Sequence, residues 1–282
     1  MHYYKYHALG NDYIIIDPAK TDIKLTTENV RLICDRNFGI GSDGILYGPL
    51  FINKNIHLKI YNPDGSIAEK SGNGIRIFSR YLVESKYVSG SEFTFQTDGG
   101  KVEIKILKND ASLIKVNMGG ITFLSSKIPV GGSEREVVNE KLNIQGVEYR
   151  ITCLSIGNPH CVLPLTEISK EIATQIGPLI ENHPLFPNRI NVQFLKVIDK
   201  ENIQIEIWER GAGYTLASGS SSCAAACAAN KLGFVGDSIT VHMPGGKINI
   251  EIRGNTIYMT GSVSSVSEGN FTEEFRSLIA GL

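Results

Sequence analysis

The sequence contains one set of landmarks twice, 147 residues apart. Asn11 and Asn158 each follow a glycine, and 60 residues after each asparagine a serine, Ser71 or Ser218, opens a glycine- or serine-rich turn. Two further pairs keep the offset to within one residue: the strand-like runs Leu58–Asn62 and Ile205–Glu209, and the Gly-Gly-Lys segments Thr97–Ile104 and His242–Ile250. Such spacing rarely arises by chance. The sequence therefore predicts two copies of one fold and a site on a pseudo-two-fold axis, with one serine from each copy.

The length of 282 residues suits two domains of roughly 120–150 residues each. We place the first copy at residues 1–118 and the second at residues 119–262. Residues 263–282 exceed the second copy and are expected to pack on the first.

Composition excludes several classes of partner. Twenty-eight Lys and Arg residues balance 29 Asp and Glu residues, so neither nucleic acid nor a membrane surface is expected as the main partner. The five cysteines are odd in number and lack metal-ligand spacing. No cleavable leader is evident, and no apolar stretch approaches the ~20 residues of a membrane span. We expect a reduced, soluble, cytoplasmic protein with a small-molecule partner; the sequence leaves its oligomeric state open, and a homodimer is compatible with it.

Hydrophobic periodicity predicts an α+β fold, with a mixed sheet folded around a central helix in each copy. Helices are expected at Thr27–Cys34, after the cap at Ser71, at 168–176 and at 219–232. Strands are expected in the first copy at 4–7, 13–17, 57–62, 92–96, 101–107 and 113–118, and in the second at 151–155, 161–164, 191–198, 202–208, 238–243, 247–252 and 256–261.

The two serine turns suggest a reaction. A serine before a helix is an ordinary N-cap, but backbone N–H groups at a helix start also bind anions such as carboxylates. Two helix starts directed at one point would hold a carboxylate and flank the carbon attached to it. Inversion of that carbon needs an acid/base group on each side, and the helix dipoles would stabilise an enolate-like charge. The sequence has no P-loop, dinucleotide fingerprint, Schiff-base lysine motif or metal motif, so no cofactor or metal is expected.

Several segments together resemble the diaminopimelate epimerases, cofactor-independent amino-acid epimerases of two pseudo-symmetric domains. The resemblance covers essentially the whole chain. Its carriers are His7–Asp12, Arg36–Gly44, Tyr61–Glu69, Gly157–His160, Phe186–Val192 and Trp208–Gly213. It implies an isomerase that interconverts LL- and meso-2,6-diaminopimelate during lysine and cell-wall precursor synthesis.

The resemblance also assigns roles to single residues. The distal amino and carboxyl groups of the substrate would be held by Asn11, Asn62, Asn158, Asn191 and Arg210. The reacting carboxylate would be bound by the helix starts at Gly72, Asn73, Gly219 and Ser220. His160 and Glu209 would lie beside the reacting centre. Ser71 and Ser218 would occupy the two acid/base positions. For Asp64 an ordinary turn role is favoured.

Both acid/base positions depart from the family, in which they are cysteines. A thiol has a pKa near 8.5 that a helix N-terminus lowers, whereas a serine hydroxyl is several units less acidic and needs a base of its own. His160 and Glu209 are the candidates for that base. Nearby, Tyr214 stands where the family usually has glutamate, and Lys70 precedes Ser71.

Three explanations of the serines stay open at this point: a deliberate inactivation that preserves binding, a natural and slower or related reaction, or a binding protein without catalysis. Tyr214 favours natural divergence, because inactivation gives no reason to change it. Alternative functions are the racemisation of another amino acid and ligand binding at an inactive centre.

Overall fold

The computed structural model describes residues 1–281, so the predicted limit at residue 282 lies outside the described chain. The chain forms two compact units, one of Met1–Val116 together with the segment from Gly261 onward, the other of Asn117–Thr260. Within the described residues, no helix combines the length and the apolar character needed to cross a membrane.

The first unit begins with eight strands and two helices. These are β1 (His2–Ala8), β2 (Asn11–Ile16), α1 (Thr27–Cys34), β3 (Ile45–Ile52), β4 (Asn55–Tyr61), β5 (Ile67–Ala68), α2 (Gly72–Glu84), β6 (Glu92–Thr97), β7 (Gly100–Ile106) and β8 (Leu113–Gly120). Strand β2 pairs antiparallel with β1 and parallel with β3. Strands β3 and β4 are antiparallel, and a parallel contact from β4 to β6 leads into the antiparallel run β6–β7–β8.

The second unit repeats this order after a short 3₁₀ turn at Ser125–Lys127. Its elements are β9 (Glu140–Ile144), β10 (Val147–Ser155), β11 (Pro159–Pro164), α3 (Lys170–Glu181), β12 (Asn191–Val197), β13 (Asn202–Glu209), β14 (Gly213–Thr215), α4 (Gly219–Lys231), β15 (Ser238–Met243), β16 (Gly246–Arg253) and β17 (Thr256–Ser262). Strand β11 is antiparallel to β10 and parallel to β12, as β2 is to its neighbours.

The chain then returns to the first unit through β18 (Ser264–Asn270) and α5 (Glu273–Gly281). Strand β18 pairs antiparallel with β1. Phe271 and Ile279 are buried in one hydrophobic cluster with Ile14, Val30 and Ile33. Apolar burial therefore fixes this segment on the first unit.

The parallel registers β2–β3 and β11–β12 keep the 147-residue offset residue by residue. Ile14 pairs with Ile45 in the first unit, and Cys161 pairs with Val192 in the second. The next registers also correspond, because Ile45 pairs with Tyr61 and Val192 with Trp208. The helices that follow the two serines, α2 and α4, both have 13 residues.

Each unit surrounds one central helix, which confirms the predicted α+β class. In α2 the large side chains of Ile75, Phe78, Tyr81 and Leu82 are fully buried. Helix α4 is lined instead by alanines and by Cys223 and Cys227, all buried. Small side chains let the surrounding strands approach α4 closely, so the two helices fill equivalent positions with different residues.

Several predicted elements need correction. Helix α3 runs to Glu181 rather than 176, because Pro178 lies in its last turns and does not end it. Strands β3, β5, β9, β14 and β18 and helix α5 were not predicted. All five cysteines are buried as thiols, as expected of small core residues.

Candidate active site

The two serines cap their helices in the same way. Ser71, with φ −137° and ψ 117°, accepts a hydrogen bond from Gly74 N–H at 3.1 Å. Ser218, with φ −145° and ψ 126°, accepts one from Ser221 N–H at 3.4 Å. Both have extended backbone, as an N-cap requires. Each hydroxyl oxygen therefore lies at a helix N-terminus, where the helix dipole favours negative charge.

Ser71 has a second partner that the sequence reasoning missed. The Tyr13 Oη lies 3.1 Å from the Ser71 Oγ, within hydrogen-bonding distance. The signal was present in the repeat, because Tyr13 occupies the position in β2 that His160 occupies in β11.

A directed chain of hydrogen bonds fixes two of the predicted binding residues in the first unit. The buried Arg76 donates to Asn73 Oδ1 at 2.7 Å, and Asn73 Nδ2 donates to Asn11 Oδ1 at 3.0 Å. Asn11 Nδ2 then donates to Asp43 Oδ2 at 2.8 Å. Because a guanidinium only donates, the orientation of each amide follows from the one before it. Asn11 and Asn73 are thus brought together at the start of α2.

The second unit has the corresponding contacts at the start of α4. His160 Nε2 lies 2.9 Å from Asn158 Oδ1, and Asn158 Nδ2 donates to Ser220 Oγ at 3.5 Å. The hydroxyl oxygens of Ser220 and Ser218 are 3.4 Å apart. The predicted residues His160, Asn158, Ser220 and Ser218 therefore form one connected group. Its Asn158–Ser220 contact is the repeat equivalent of the Asn11–Asn73 contact.

His160 is fully buried and is held neutral. Burial lowers the pKa of His160 to about 3; the positive charge of Arg210 adds to this, and hydrogen bonding to Gln193 opposes it. A neutral imidazole can donate from Nε2 to the Asn158 carbonyl oxygen. It is a poor proton acceptor near neutral pH, so the geometry supports orientation of Asn158 better than the predicted role as a base.

Arg210 and Asn191 are linked through the backbone. Arg210 N–H donates to Asn191 Oδ1 at 3.0 Å, and Asn191 Nδ2 donates to Pro159 O at 2.8 Å. The guanidinium of Arg210 is exposed and donates to Asn188 O at 3.1 Å. Asn191 thus fixes the backbone at the end of β13, next to Glu209, while the charged end of Arg210 is accessible.

A residue not singled out from the sequence, Glu181, holds the same segment from the other side. Its carboxylate, at the end of α3, accepts hydrogen bonds from Trp208 Nε1 at 2.7 Å and Gly211 N–H at 2.9 Å. Arg189 pairs with it at 3.2 Å. Glu181 therefore fixes the residues immediately before and after Glu209 and Arg210. Nothing in the spacing of the sequence indicated this contact.

Two other predicted features have local partners. Asn62 Nδ2 donates to Ser66 Oγ at 2.9 Å, and Asp64 Oδ1 accepts from Ser66 N–H at 2.9 Å, so Asp64 has the expected turn role. Tyr214 Oη donates to Glu206 Oε2 at 2.7 Å. Burial, with the hydrogen bond to Glu206, raises the pKa of Tyr214.

The structure offers no metal centre in the part of the chain that it describes: no group of three or more His, Cys, Asp or Glu side chains is arranged to bind an ion. At the start of each of the two helices, the structure brings together hydroxyls, amides and backbone N–H groups.

The fold is shared with amino-acid epimerases and racemases. The crystal structure of a hydroxyproline epimerase from Agrobacterium vitis matches with a TM-score of 0.71 and covers 95% of this chain and 90% of its own. At 14% sequence identity, this similarity shows the fold alone.

Sequence comparison identifies the family. The diaminopimelate epimerase family model matches residues 3–124 and 152–266. A protein named diaminopimelate epimerase 2, from Nostoc sp., is 53% identical over 276 residues, which are 97% of this chain and 96% of the relative. A diaminopimelate epimerase from Moorella thermoacetica is 36% identical over 276 residues, with 96% and 99% coverage. The chain belongs to the diaminopimelate epimerase family, which confirms the resemblance stated from its motifs.

Proposed function

We propose that this chain is an isomerase that interconverts LL- and meso-2,6-diaminopimelate by moving the proton on one α-carbon. The main observation in support is the pair of equivalent helix starts, each capped by a serine and each with an amide or hydroxyl contact at the second residue after that serine. Family membership supports the substrate, since relatives named diaminopimelate epimerase match this chain over nearly their whole length. The names of these relatives do not favour a different amino acid as the substrate.

The proposed binding follows from charge and hydrogen-bonding capacity. Backbone N–H groups at the starts of α2 and α4 would bind the reacting carboxylate, because the first N–H groups of a helix have no acceptor within it. Arg210, whose guanidinium is exposed, would hold the distal carboxylate. Oxygen atoms of the Asn62, Asn158 and Asn191 amides would accept from the distal ammonium, and Asn11 would complete this set.

The proposed reaction uses one hydroxyl on each face of the α-carbon. The serine on one face accepts the α-proton, and the helix dipoles stabilise the enolate-like intermediate. The serine on the other face then donates a proton to the α-carbon. Each unit by which the pKa of a serine exceeds that of a thiol costs about 1.4 kcal/mol whenever the oxygen must carry negative charge. We therefore expect slower turnover than a thiol pair at the same positions would give.

We also propose that the enzyme serves the synthesis of lysine and cell-wall precursors in the cytoplasm. The burial of all five cysteines as thiols is compatible with a reducing compartment.

Hydrogen–deuterium exchange with stereochemical analysis tests the proposal. The protein is incubated with LL-diaminopimelate in deuterated water, and deuterium at the α-carbon and the LL-to-meso ratio are followed together. We expect both to change, slowly for the serine protein and faster by orders of magnitude for the double variant Ser71→Cys with Ser218→Cys. Each single cysteine variant should gain much less, because inversion needs a competent group on each face.

A matched control is Ser85→Cys at the C-terminal cap of α2, where the dipole has the opposite sign and a thiolate is not stabilised. The proposal is wrong if the double-cysteine protein neither exchanges nor inverts diaminopimelate, or if the control variant gains as much as the double variant.

A further inference from the structure

The two serines of the repeat have different neighbours. Ser71 lies against a phenol, that of Tyr13, at 3.1 Å. Ser218 lies against another aliphatic hydroxyl, that of Ser220, at 3.4 Å. A phenol has a pKa near 10 and forms an anion far more readily than an aliphatic alcohol. Of these two pairs, only the Ser71 pair contains a hydroxyl that is acidic enough to form an anion readily.

The position of the Tyr13 ring is determined by close packing. Tyr13 is only 6% exposed in β2. Gly44 lies against the ring, because a Cβ built at Gly44 would come within 2.8 Å of Tyr13 Cε1. The ring therefore has little freedom to turn away, and its hydroxyl is held beside the Ser71 oxygen.

The repeat gives this position significance. Tyr13 and His160 follow Asn11 and Asn158 by two residues, and the registers of the parallel strand pairs β2–β3 and β11–β12 correspond. In the second unit the equivalent side chain is directed at Asn158 Oδ1, whereas in the first it is hydrogen-bonded to the serine itself. One backbone position thus supplies a partner to an amide in one copy and to the acid/base residue in the other.

We propose that Tyr13 is the proton-relay partner of Ser71. This inference rests on the proposed function and names the group that lets a serine act there. When Ser71 receives the α-proton, the Cα–H bond breaks, its electron pair stays on the substrate, and a new O–H bond forms at Ser71 Oγ. The original hydroxyl proton of Ser71 passes to the tyrosinate form of Tyr13, so that no charge accumulates on the serine. In the reverse direction Ser71 gives its proton to the carbanion and regains one from the Tyr13 phenol.

The relay predicts that the two serines are unequal. A protein that keeps Ser71 and carries Ser218→Cys should epimerise diaminopimelate faster than one that keeps Ser218 and carries Ser71→Cys. Removal of the phenol hydroxyl by Tyr13→Phe keeps the ring in place. It should lower kcat of the Ser218→Cys protein by about a hundredfold or more, as expected for the loss of acid/base assistance, with little change in KM.

The same substitution in other backgrounds separates a relay from packing. In the Ser71→Cys/Ser218→Cys protein, Tyr13→Phe should change kcat by less than about threefold, because a thiol ionises without the phenol. The matched control is Tyr6→Phe in the Ser218→Cys protein. Tyr6 is a similarly buried tyrosine in the same unit, and its hydroxyl donates to Glu84 at 2.6 Å. We expect that control to leave kcat unchanged.

Each outcome bears on the relay separately from the proposed function. If Tyr13→Phe lowers kcat equally in the Ser218→Cys protein and in the double-cysteine protein, Tyr13 acts through packing. Absence of turnover in the Ser218→Cys protein, with activity in the double-cysteine protein, would overturn the relay and leave the epimerase function intact. If the double-cysteine protein is also inactive while it binds and folds normally, the proposed function itself is wrong.

Discussion

The buried imidazole of His160 leads to a prediction about stability in acid. His160 is 0% exposed, and burial lowers its pKa in the folded protein to about 3. In the unfolded chain a histidine titrates near pH 6.5. The folded-state pKa is therefore the lower one, so the unfolded chain binds the proton first as the pH falls. Stability should be full above pH 6.5 and should be lost progressively from there towards pH 3.

The magnitude follows from these two pKa values. Each pH unit within the window changes the free energy of unfolding by up to about 1.4 kcal/mol, and half of that near pH 6.5. Between pH 7.5 and pH 4.5 the loss from His160 should be between about 2 and 3 kcal/mol. Carboxyl groups whose pKa values are lowered in the folded protein, such as Asp12, add a loss of the same sign near the lower end of this range, so the contribution of His160 is measured against a variant that lacks it. His242 changes in the same direction, because burial and the charge of Lys247 lower its pKa, but it is partly exposed.

Urea unfolding at four pH values between 7.5 and 4.5 measures the effect. The comparison is between the unsubstituted protein and His160→Gln, whose amide retains a hydrogen-bond donor for Asn158, with His242→Gln as the matched control. We expect His160→Gln to reduce the acid-dependent loss by about 2–3 kcal/mol and His242→Gln to reduce it by much less. If the protein carrying His160→Gln loses stability between pH 7.5 and 4.5 as steeply as the unsubstituted protein, the imidazole is not held neutral by burial, and the reasoning fails.

Two further substitutions test the segment around Glu209. Arg210→Lys keeps the positive charge but loses the planar fork, so we expect diaminopimelate to bind about tenfold to a hundredfold more weakly by calorimetry. Arg253→Lys, at a surface ion pair, is its control, and equal affinity of the Arg210→Lys and unsubstituted proteins would make Arg210 structural. Glu181→Ala leaves the Trp208 and Gly211 N–H groups without their acceptor, so KM should rise and stability fall by about 1–3 kcal/mol. Glu167→Gln, at an exposed pair with Lys196, should do neither; unchanged KM in the Glu181→Ala protein would contradict the role of Glu181.

The sequence predicted those parts of the fold that depend on local rules. The helix at Thr27–Cys34 begins and ends as predicted, because Thr26 caps it and its apolar residues recur at helical spacing. Both serine caps were likewise visible, since a serine before a glycine-rich helix start is a local signal. The repeat then gave the order of the predicted elements in the second copy, because that order follows the first copy.

The missed elements depend on tertiary context. Strand β3 contains Gly48 and Pro49, which ordinarily interrupt a strand, but a register shift between Tyr47 and Leu50 accommodates them. Helix α3 continues through Pro178, which local rules treat as a stop. Strand β18 is largely exposed and lacks apolar alternation, so only its pairing with β1 makes it a strand.

The candidate site shows the same division between local and long-range information. Motifs identified the asparagines, the serines and Arg210, since each belongs to a contiguous segment. The partners of this segment and of the serines come from elements distant in the sequence: Tyr13 in β2 is 58 positions from Ser71, and Glu181 in α3 is 30 from Gly211, which follows Arg210. Such pairs leave no trace in spacing along the chain. The repeat offset makes Tyr13 the equivalent of His160 in the other copy, and it was the only sequence feature able to indicate the Tyr13–Ser71 pair.

The repeat also shows where the two copies of the site must differ. The backbones correspond in register, helix length and capping, so each copy sets its serine at an equivalent point. The side chains around the serines do not correspond: Tyr13 faces Ser71, and Ser220 faces Ser218. The two directions of an LL-to-meso conversion are not mirror images, because the second stereocentre of the substrate stays unchanged. This substrate therefore does not require the two acid/base groups to be identical. An unequal pair, one serine with a phenol relay and one without, is chemically consistent with it.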